Sequence, residues 1–583
     1  MEIGGAVFSA PFFNETSEAW RRAMIKELKK RGREEVTSRM DLEPLRIVWT
    51  QGRVVNAEGL LEQKSRQITL SQRDPVVMQT EKEKTASVLL DFGCEIHGGL
   101  KIMLWGEDTG RGARVRIRFG ESVTEAMSDV GGATKATNDH ARRDFTTELG
   151  ALSMNCLGET GFRFVRIDLL DETTIGLKSI LAVFVYKDVP YRGSFQCSDE
   201  LLNRIWMTGA YTVHLNMQEY IWDGIKRDRL VWVGDMHPEI LTIRTVFGAD
   251  DSVVRSLALA QEDAPLPGWM NGMVTYSMWY AVIVYDWYYY TGDIMWLRSQ
   301  AEYLKGVAKQ LSDSIDENGK SAYPKERFLD WPSHDKPDVV DAGMQAIHYM
   351  AAERMAELFG ILDERELEEE CYRDMDRLKS YPVNFGESKQ AAALLTLAGL
   401  QDPESMNREV LCKGGAAGMS TYMGYYILAA RAQAGDYKGC LDCIRDYWGG
   451  MLSLGATTFW EDFDMEWLKD AAPIDRFPAE GEVDVHGTYG RYCYEGHRHS
   501  LCHGWASGPT AWLTEYVLGI RILEPGCRKM SISPHLGDLE WAEGTYPTPL
   551  GDLTVKVWKD ENGMEVCQVK APDGITVTEM ERS

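Results

Sequence analysis

The sequence predicts a multidomain β + all-α chain: an N-terminal β-sandwich, a central all-helical domain and a small C-terminal β-sandwich. Three observations predict it. Period-two alternation marks much of the first ~195 residues, helical periodicity runs from Ser198 to about Ile520, and strand patterns return in the last ~60. With 583 residues, the chain exceeds one ordinary core and suits about three to four domains. The expected division is 1–84, 85–195, 198–520 and 521–583.

Residues 1–84 read as an irregular segment with short strands at Ile47–Trp49 and Arg53–Val55. In 85–195, Arg114-Val-Arg-Ile-Arg-Phe119 and Phe162-Arg-Phe-Val-Arg-Ile167 alternate polar and apolar residues as half-buried strands do. Turns at Gly98-Gly99, Gly110 and Gly112, and Gly131-Gly132 separate such runs, as a sandwich requires. From Ser198 the period changes: Leu201, Leu202, Ile205, Trp206 and Ala210 recur at helical spacing, with Asp199 and Glu200 favourable near a helix start. Helices are also expected over 252–260, 276–290, 342–359, 389–399 and 421–434. A bundle, a solenoid or a closed α/α toroid would all fit this alternation. No fixed repeat of about 20–50 residues is evident, which disfavours the solenoid. Near the end, Leu553–Trp558, the turn Asp560-Glu-Asn-Gly563 and Met564–Val569 form a hairpin.

Composition narrows the function. A net charge of −26 argues against a nucleic-acid partner, whose phosphates call for clustered Lys and Arg. The start, Met1 to Glu15, lacks a basic segment followed by about 7–15 apolar residues, and no run reaches the roughly twenty that a membrane span needs. Eleven cysteines, an odd number from Cys94 to Cys567, suggest no disulfide framework, so the cytoplasm is the expected location. Cys440-Leu-Asp-Cys443 lies in a helical pattern and reads as packing. Aromatic residues make 10% of the chain, which suits stacking on sugar faces and equally suits ordinary cores.

The stretch Asp223-Gly-Ile-Lys-Arg-Asp-Arg-Leu-Val-Trp-Val-Gly-Asp235 places three carboxylates, two arginines and a tryptophan in thirteen residues. Crowded carboxylates disfavour joint ionisation, as a proton-handling or polyol-binding site requires. On its own the stretch reads equally well as a solvated helix start with surface ion pairs. It also resembles a signature of bacterial α-L-rhamnosidases (glycoside hydrolase family 78), in which an Asp, Arg-Glu, Arg, Trp and Gly-Asp follow at this spacing. Asp223, Arg227, Arg229, Trp232, Gly234 and Asp235 fall in register, while the family's general-acid Glu is replaced by Asp228.

Two further stretches carry the same resemblance. Gly455-Ala-Thr-Thr-Phe-Trp-Glu461 is similar to the family's Thr-Thr…Trp-Glu, which implies Glu461 as general base, with Asp464 as the second choice. Ser500-Leu-Cys-His-Gly-Trp-Ala-Ser-Gly508 is similar to a Ser-x-x-His preceding a helix and implies His503 as a sugar-hydroxyl ligand. Phe328-Leu-Asp-Trp-Pro332 looks like the family's Asp-Trp loop, with Asp330 and Trp331 lining the pocket. Without the family, Glu461 reads as a loop carboxylate beside a buried Trp460. His486, His497, His499 and His503 with Cys493 and Cys502 raise zinc, but show no compact four-ligand spacing, so no metal is expected.

The resemblance covers about residue 85 to the end and implies an (α/α)6 barrel for the helical domain. It also implies an inverting exo-α-L-rhamnosidase with Asp228 as acid and Glu461 as base. Asp223, Arg227, Trp232, Asp235, Asp330, Trp331, Trp460 and His503 would bind the sugar. The expected partner is a small rhamnoside, with no cofactor, nucleic acid or membrane; the oligomeric state stays open, a homodimer through the β domains being one option. The alternatives are a barrel glycosidase for another deoxy or L-sugar, and a carbohydrate-binding relative with weak or no turnover.

Overall fold

The computed structural model describes residues 26, 28–30, 32–33, 35–82, 84–108, 110–323 and 327–579. The start of the chain, read above for targeting signals, lies outside the described residues.

Nine strands between Ser38 and Tyr186 join in one antiparallel sheet. Its backbone is the strand Ala86–Glu107, which changes partners along its length. Its first part pairs with Arg46–Gln51, its later part with Thr174–Tyr186, and Ser153–Leu169 runs beside both. Bulges at Asp91/Ile96 and Gly98/Leu100 absorb the change of direction. The strands expected at 114–119 and 162–167 are the middles of longer ones, Ala113–Gly120 and Ser153–Leu169. The division expected at 84/85 does not exist in the hydrogen bonding. Ser38–Leu42 and Val76–Gln79 pair with Thr174–Tyr186, so the segment before 85 completes this sheet. Apolar residues from Leu60 to Ala182 form its own core.

The helical region begins at Glu200–Asn216, capped by Asp199 as the sequence implies. Six helices pack each on the next: Val233–Val246, Val274–Thr291, Pro337–Ile361, Lys389–Leu397, Gly424–Gln433 and Gly508–Trp512, the last returning to the first. Between them come helices such as Ile294–Asp313 and Arg365–Ser380, which bury one stripe and expose the rest. Val233–Val246 and Val274–Thr291, by contrast, are buried almost all round. No helix among the described residues is long and apolar enough to cross a membrane.

The C-terminal strands form two sheets, and one takes its edge strand from far upstream: Ser194–Cys197 pairs with Trp541–Thr548. The expected hairpin is present as Gly551–Lys559 and Glu565–Lys570. A single apolar core runs from Phe195 through the helices to Val557, so the helical region and these sheets share one interior.

The N-terminal sheet docks on the helical region at Gly161, whose N–H donates to the Ile225 carbonyl at 2.9 Å. A Cβ at 161 would lie 2.7 Å from Ile225 Cγ1 and 2.9 Å from the Lys226 nitrogen, so only glycine permits this approach. Gly161→Ala is therefore expected to force the two parts to move and to cost about 1–3 kcal/mol, read by urea denaturation. An unchanged unfolding midpoint would show that the sheet is not seated here.

Candidate active site

The inner helices present their N-terminal ends to one side of the helical region, and the loops entering them build the site. Asp235 lies in the first turn of Val233–Val246 and Tyr276 near the start of Val274–Thr291. Asp330 and Trp331 precede Pro337–Ile361, Ser420 and Thr421 precede Gly424–Gln433, and His503 precedes Gly508–Trp512. Helix N-termini favour anions, which eases the burial of carboxylates here.

Two segments distant in sequence are zipped together. Gly224 and His503 form an antiparallel bridge, and Gly504 N–H donates to the Asp223 carbonyl at 2.9 Å. His503 Nε2 consequently faces three carboxylates: Asp223 at 3.7 Å, Asp235 at 3.8 Å and Glu461 at 3.8 Å. Burial holds the imidazole well below its ordinary pKa, so it meets them neutral. Burial, reinforced by Asp228 and Asp235, pushes Asp223 well above the usual carboxylate range. Asp235, buried and accepting from Tyr276 OH at 2.7 Å, is pushed up to about 8.

Glu239 completes this acidic pocket and was missed in the sequence. It lies one helical turn beyond Asp235, the spacing that could have found it. Burial, then Asp235 and Asp223, hold it well above the ordinary range. Its carboxylate fills the space a side chain at Gly504 would need, since a Cβ there would lie 1.6 Å from Glu239 Oε1.

Arg227 links the two expected reacting groups. Nη2 donates to both oxygens of Glu461, at 2.5 and 2.7 Å, and Nη1 donates to Asp228 Oδ1 at 2.8 Å. Glu461 is held further by Ser500 N–H at 3.1 Å, while its carbonyl accepts from Thr421 and Trp505. Burial pushes the Asp228 carboxyl up, but the Arg227 guanidinium more than offsets this and leaves it below its ordinary pKa. Asp228 and Arg229 both adopt left-handed backbone, φ 54° and 53°. Such conformations in non-glycine residues cost about 1–3 kcal/mol each and persist where the surroundings enforce them.

The other expected residues divide. Trp232 meets Tyr276 edge to face, Tyr276 meets Phe328, and Phe328 meets Trp331, giving a continuous aromatic wall. Asp330 is buried: Oδ1 accepts from Ser333 N–H and Oδ2 from Ser420 Oγ, both at 3.0 Å. It caps the turn that carries Trp331. Trp460, 1% exposed, packs against Phe463 and His499 and supports the Glu461 loop from within the core. Asp464 caps a surface turn through Glu466 N–H, away from the Arg227 cluster.

The histidines weighed for zinc do not gather around one point. Only Glu121, Glu125 and His486 approach a metal-like cluster among the described residues. The Lys226 ammonium already supplies positive charge there, 3.2 Å from Glu121 and 3.0 Å from Glu125. Lys226 also donates to the His497 and His499 carbonyls, at 2.6 and 2.7 Å, which fixes the residue next to Arg227.

The raised Asp235 gives a pH prediction. Its unfolded form ionises near 3.8 and its folded form near 8, so its contribution to stability is full below about 4 and is lost as pH rises towards 8. Asp235→Asn escapes that loss. Thermal melts should show the variant gaining on the wild type from pH 4 to 8, and a constant difference would refute the buried neutral carboxyl.

Comparison with known proteins places this geometry. Residues 190–381 match the bacterial α-L-rhamnosidase six-hairpin glycosidase domain, and 519–578 match the bacterial α-L-rhamnosidase C-terminal domain. An α-L-rhamnosidase of Alteromonas sp. (strain LOR) is 23% identical over 540 residues, covering 82% of this chain and 54% of its own. The chain thus spans about half the length of that curated relative. The GH78 rhamnosidase of Bacillus sp. GL1 has a similar fold, with TM-score 0.72, 20% identity, and 90% of this chain and 55% of that one covered. A Klebsiella oxytoca rhamnosidase with rhamnose bound gives TM-score 0.60 and 20% identity over 82% of this chain and 96% of its own. Through its two matched domains and its β–helical–β architecture, the chain resembles the bacterial α-L-rhamnosidases of glycoside hydrolase family 78.

Proposed function

We propose that the protein is an inverting exo-α-L-rhamnosidase, with Asp228 as general acid and Glu461 as general base. The observation that carries this reading is the shared guanidinium: Arg227 holds both carboxylates at the mouth of a pocket of further carboxylates. Carboxyl and imidazole groups exchange hydrogen bonds with sugar hydroxyls, each contributing about 0.5–1.5 kcal/mol where the group is neutral and about 1.5–3 kcal/mol where it is ionised. Asp223, Asp235 and His503 would hold the ring hydroxyls, while Arg227 orients the two reacting carboxylates. The Trp232–Tyr276–Phe328–Trp331 wall would face the ring and its methyl group. The closed succession of inner helices supports the (α/α)6 barrel. The rhamnosidases of Klebsiella oxytoca and Streptomyces avermitilis were solved with rhamnose, which supports that sugar as the substrate.

In this mechanism Asp228 gives its proton to the glycosidic oxygen as the bond to the anomeric carbon breaks. Glu461 takes a proton from water, which attacks the opposite face. Inversion needs the carboxyls about 6.5–9.5 Å apart to admit that water. None of these steps calls for a metal or organic cofactor. Eleven cysteines, an odd number with no disulfide-like spacing, support a reducing compartment such as the cytoplasm.

A second reading, a sugar-binding relative with weak turnover, draws on Asp228 itself. Its carboxyl is one methylene shorter than the family's Glu, and a misplacement of ~1 Å can cost on the order of a hundredfold. Arg227 also holds it low, the opposite of what a proton donor needs.

Proton NMR of α-L-rhamnoside hydrolysis should show β-L-rhamnose first, before mutarotation; α-L-rhamnose first would overturn both role assignments. Glu461→Ala should stop turnover, even of aryl substrates, and azide should restore part of it as a β-glycosyl azide. Asp228→Asn should abolish cleavage of alkyl rhamnosides and spare much of that of nitrophenyl rhamnosides. Sugar binding by calorimetry with no hydrolysis of any aryl glycoside would favour the second reading.

A further inference from the structure

An acid held low by an arginine needs a source of its proton, and the N-terminal sheet domain brings one to it. His140 lies in the segment between Ala113–Gly120 and Asp144–Leu149, far from the helical region in sequence. Its Nδ1 accepts from the Asp228 backbone N–H at 2.7 Å and lies 2.9 Å from Asp228 Oδ1. The imidazole is 46% exposed, so it reaches both the carboxyl and bulk water.

The two contacts constrain the proton count. Nδ1 has a single in-plane position: in the neutral ring it accepts from Asp228 N–H, and in the imidazolium it carries a proton that faces Oδ1. Both partners lie within hydrogen-bond distance, so the ring can exchange one role for the other and pass one proton to Oδ1 without leaving this pose. The segment is fixed in this pose: Arg229 Nη2 donates to the His140 carbonyl at 2.8 Å, and Arg498 Nε donates to Asp139 at 3.1 Å. The charged groups facing the imidazole are thus Asp228, Arg229 and Asp139, with Arg227 and Arg498 one contact further. His140 shares the left-handed backbone of Asp228 and Arg229, φ 60°, so the residues on both sides of the contact are held in a conformation that non-glycine residues rarely take.

We infer that His140 is a positioning residue that supplies the proton Asp228 donates, so that the N-terminal sheet domain takes part in the reaction. This rests on the acid role of Asp228 proposed above. In each cycle Asp228 passes its proton to the departing alcohol, and Glu461 gains one from the attacking water. Glu461 returns its proton to solvent. An imidazolium at 140 transfers its Nδ1 proton to Asp228 Oδ1, leaving a neutral ring that bulk water reprotonates. Charge and protons balance over the turnover.

His140→Asn tests this. Asparagine tolerates left-handed backbone and sets an amide oxygen near the place of Nδ1, so it keeps the bond from Asp228 N–H and cannot titrate. For an alkyl rhamnoside, kcat/KM should fall about ten- to a hundredfold, and the high-pH limb should move to lower pH. For dinitrophenyl rhamnoside, whose leaving group needs little protonation, the fall should stay under about threefold. Imidazole added to His140→Ala should restore part of the alkyl activity. Equal losses on both substrates, or none on either, would overturn the inference. If the wild type cleaves the glycosides of another sugar instead, the rhamnoside reading fails while the same substrate pair in that sugar still decides the role of His140.

Discussion

The site depends on one buried cation. Arg227 is the only guanidinium that pairs with Glu461 among the described residues, and the same side chain pairs with Asp228. Around it, Asp223, Asp235 and Glu239 are buried with His503 neutral beside them, an arrangement that ionised carboxylates could not sustain without compensation. The pocket resolves this by keeping some of its carboxyls protonated and by aiming helix N-termini at it. A polyol brings many hydroxyl donors and no charge, and so complements a pocket built of acceptors. This electrostatic imbalance is what separates the site from the well-paired surface ion pairs of the outer helices.

That imbalance was partly legible in the sequence. The β–helical–β order followed from a change of period, and Glu200–Asn216 begins where the change and the acidic cap imply. The crowding of Asp223, Asp228 and Asp235 was visible as spacing. Their roles were not, because the deciding partner, Glu461, lies more than two hundred residues away and meets them only after the helices close. Trp460 and Asp330 show a different limit: motif position suggests sugar contact and says nothing of the internal packing and capping bonds that both side chains also make. Glu239 could have been read from its one-turn offset. His140 carried no signal, since its position is set by how a separate sheet docks.

The sheet domain is bound to the site by charge as well as by fit. Lys226 projects between Glu121 and Glu125, both carried by the sheet domain, and its neighbour Arg227 faces the opposite way, into the pocket. Burial raises Glu121 to about 7 and holds neighbouring Glu95 well above the ordinary range, so this junction is itself a strained electrostatic assembly. Consecutive residues thus anchor to two domains, and any shift of the sheet is transmitted to Arg227 through one peptide unit.

The strand Ser194–Cys197 has a consequence for how the molecule is made. It leaves the ribosome before the first helix of the helical region, yet its partner Trp541–Thr548 comes after the last. At about 5–20 residues per second, synthesis separates the two by tens of seconds. During that interval the helical layer has an incomplete interior, because its core continues into strands not yet made. The N-terminal sheet, with its own core, can fold meanwhile and give the nascent helices a surface to assemble on. The chain order thus makes an early domain the scaffold and a late strand the clasp, and leaves the intervening apolar helices dependent on protection until the clasp arrives.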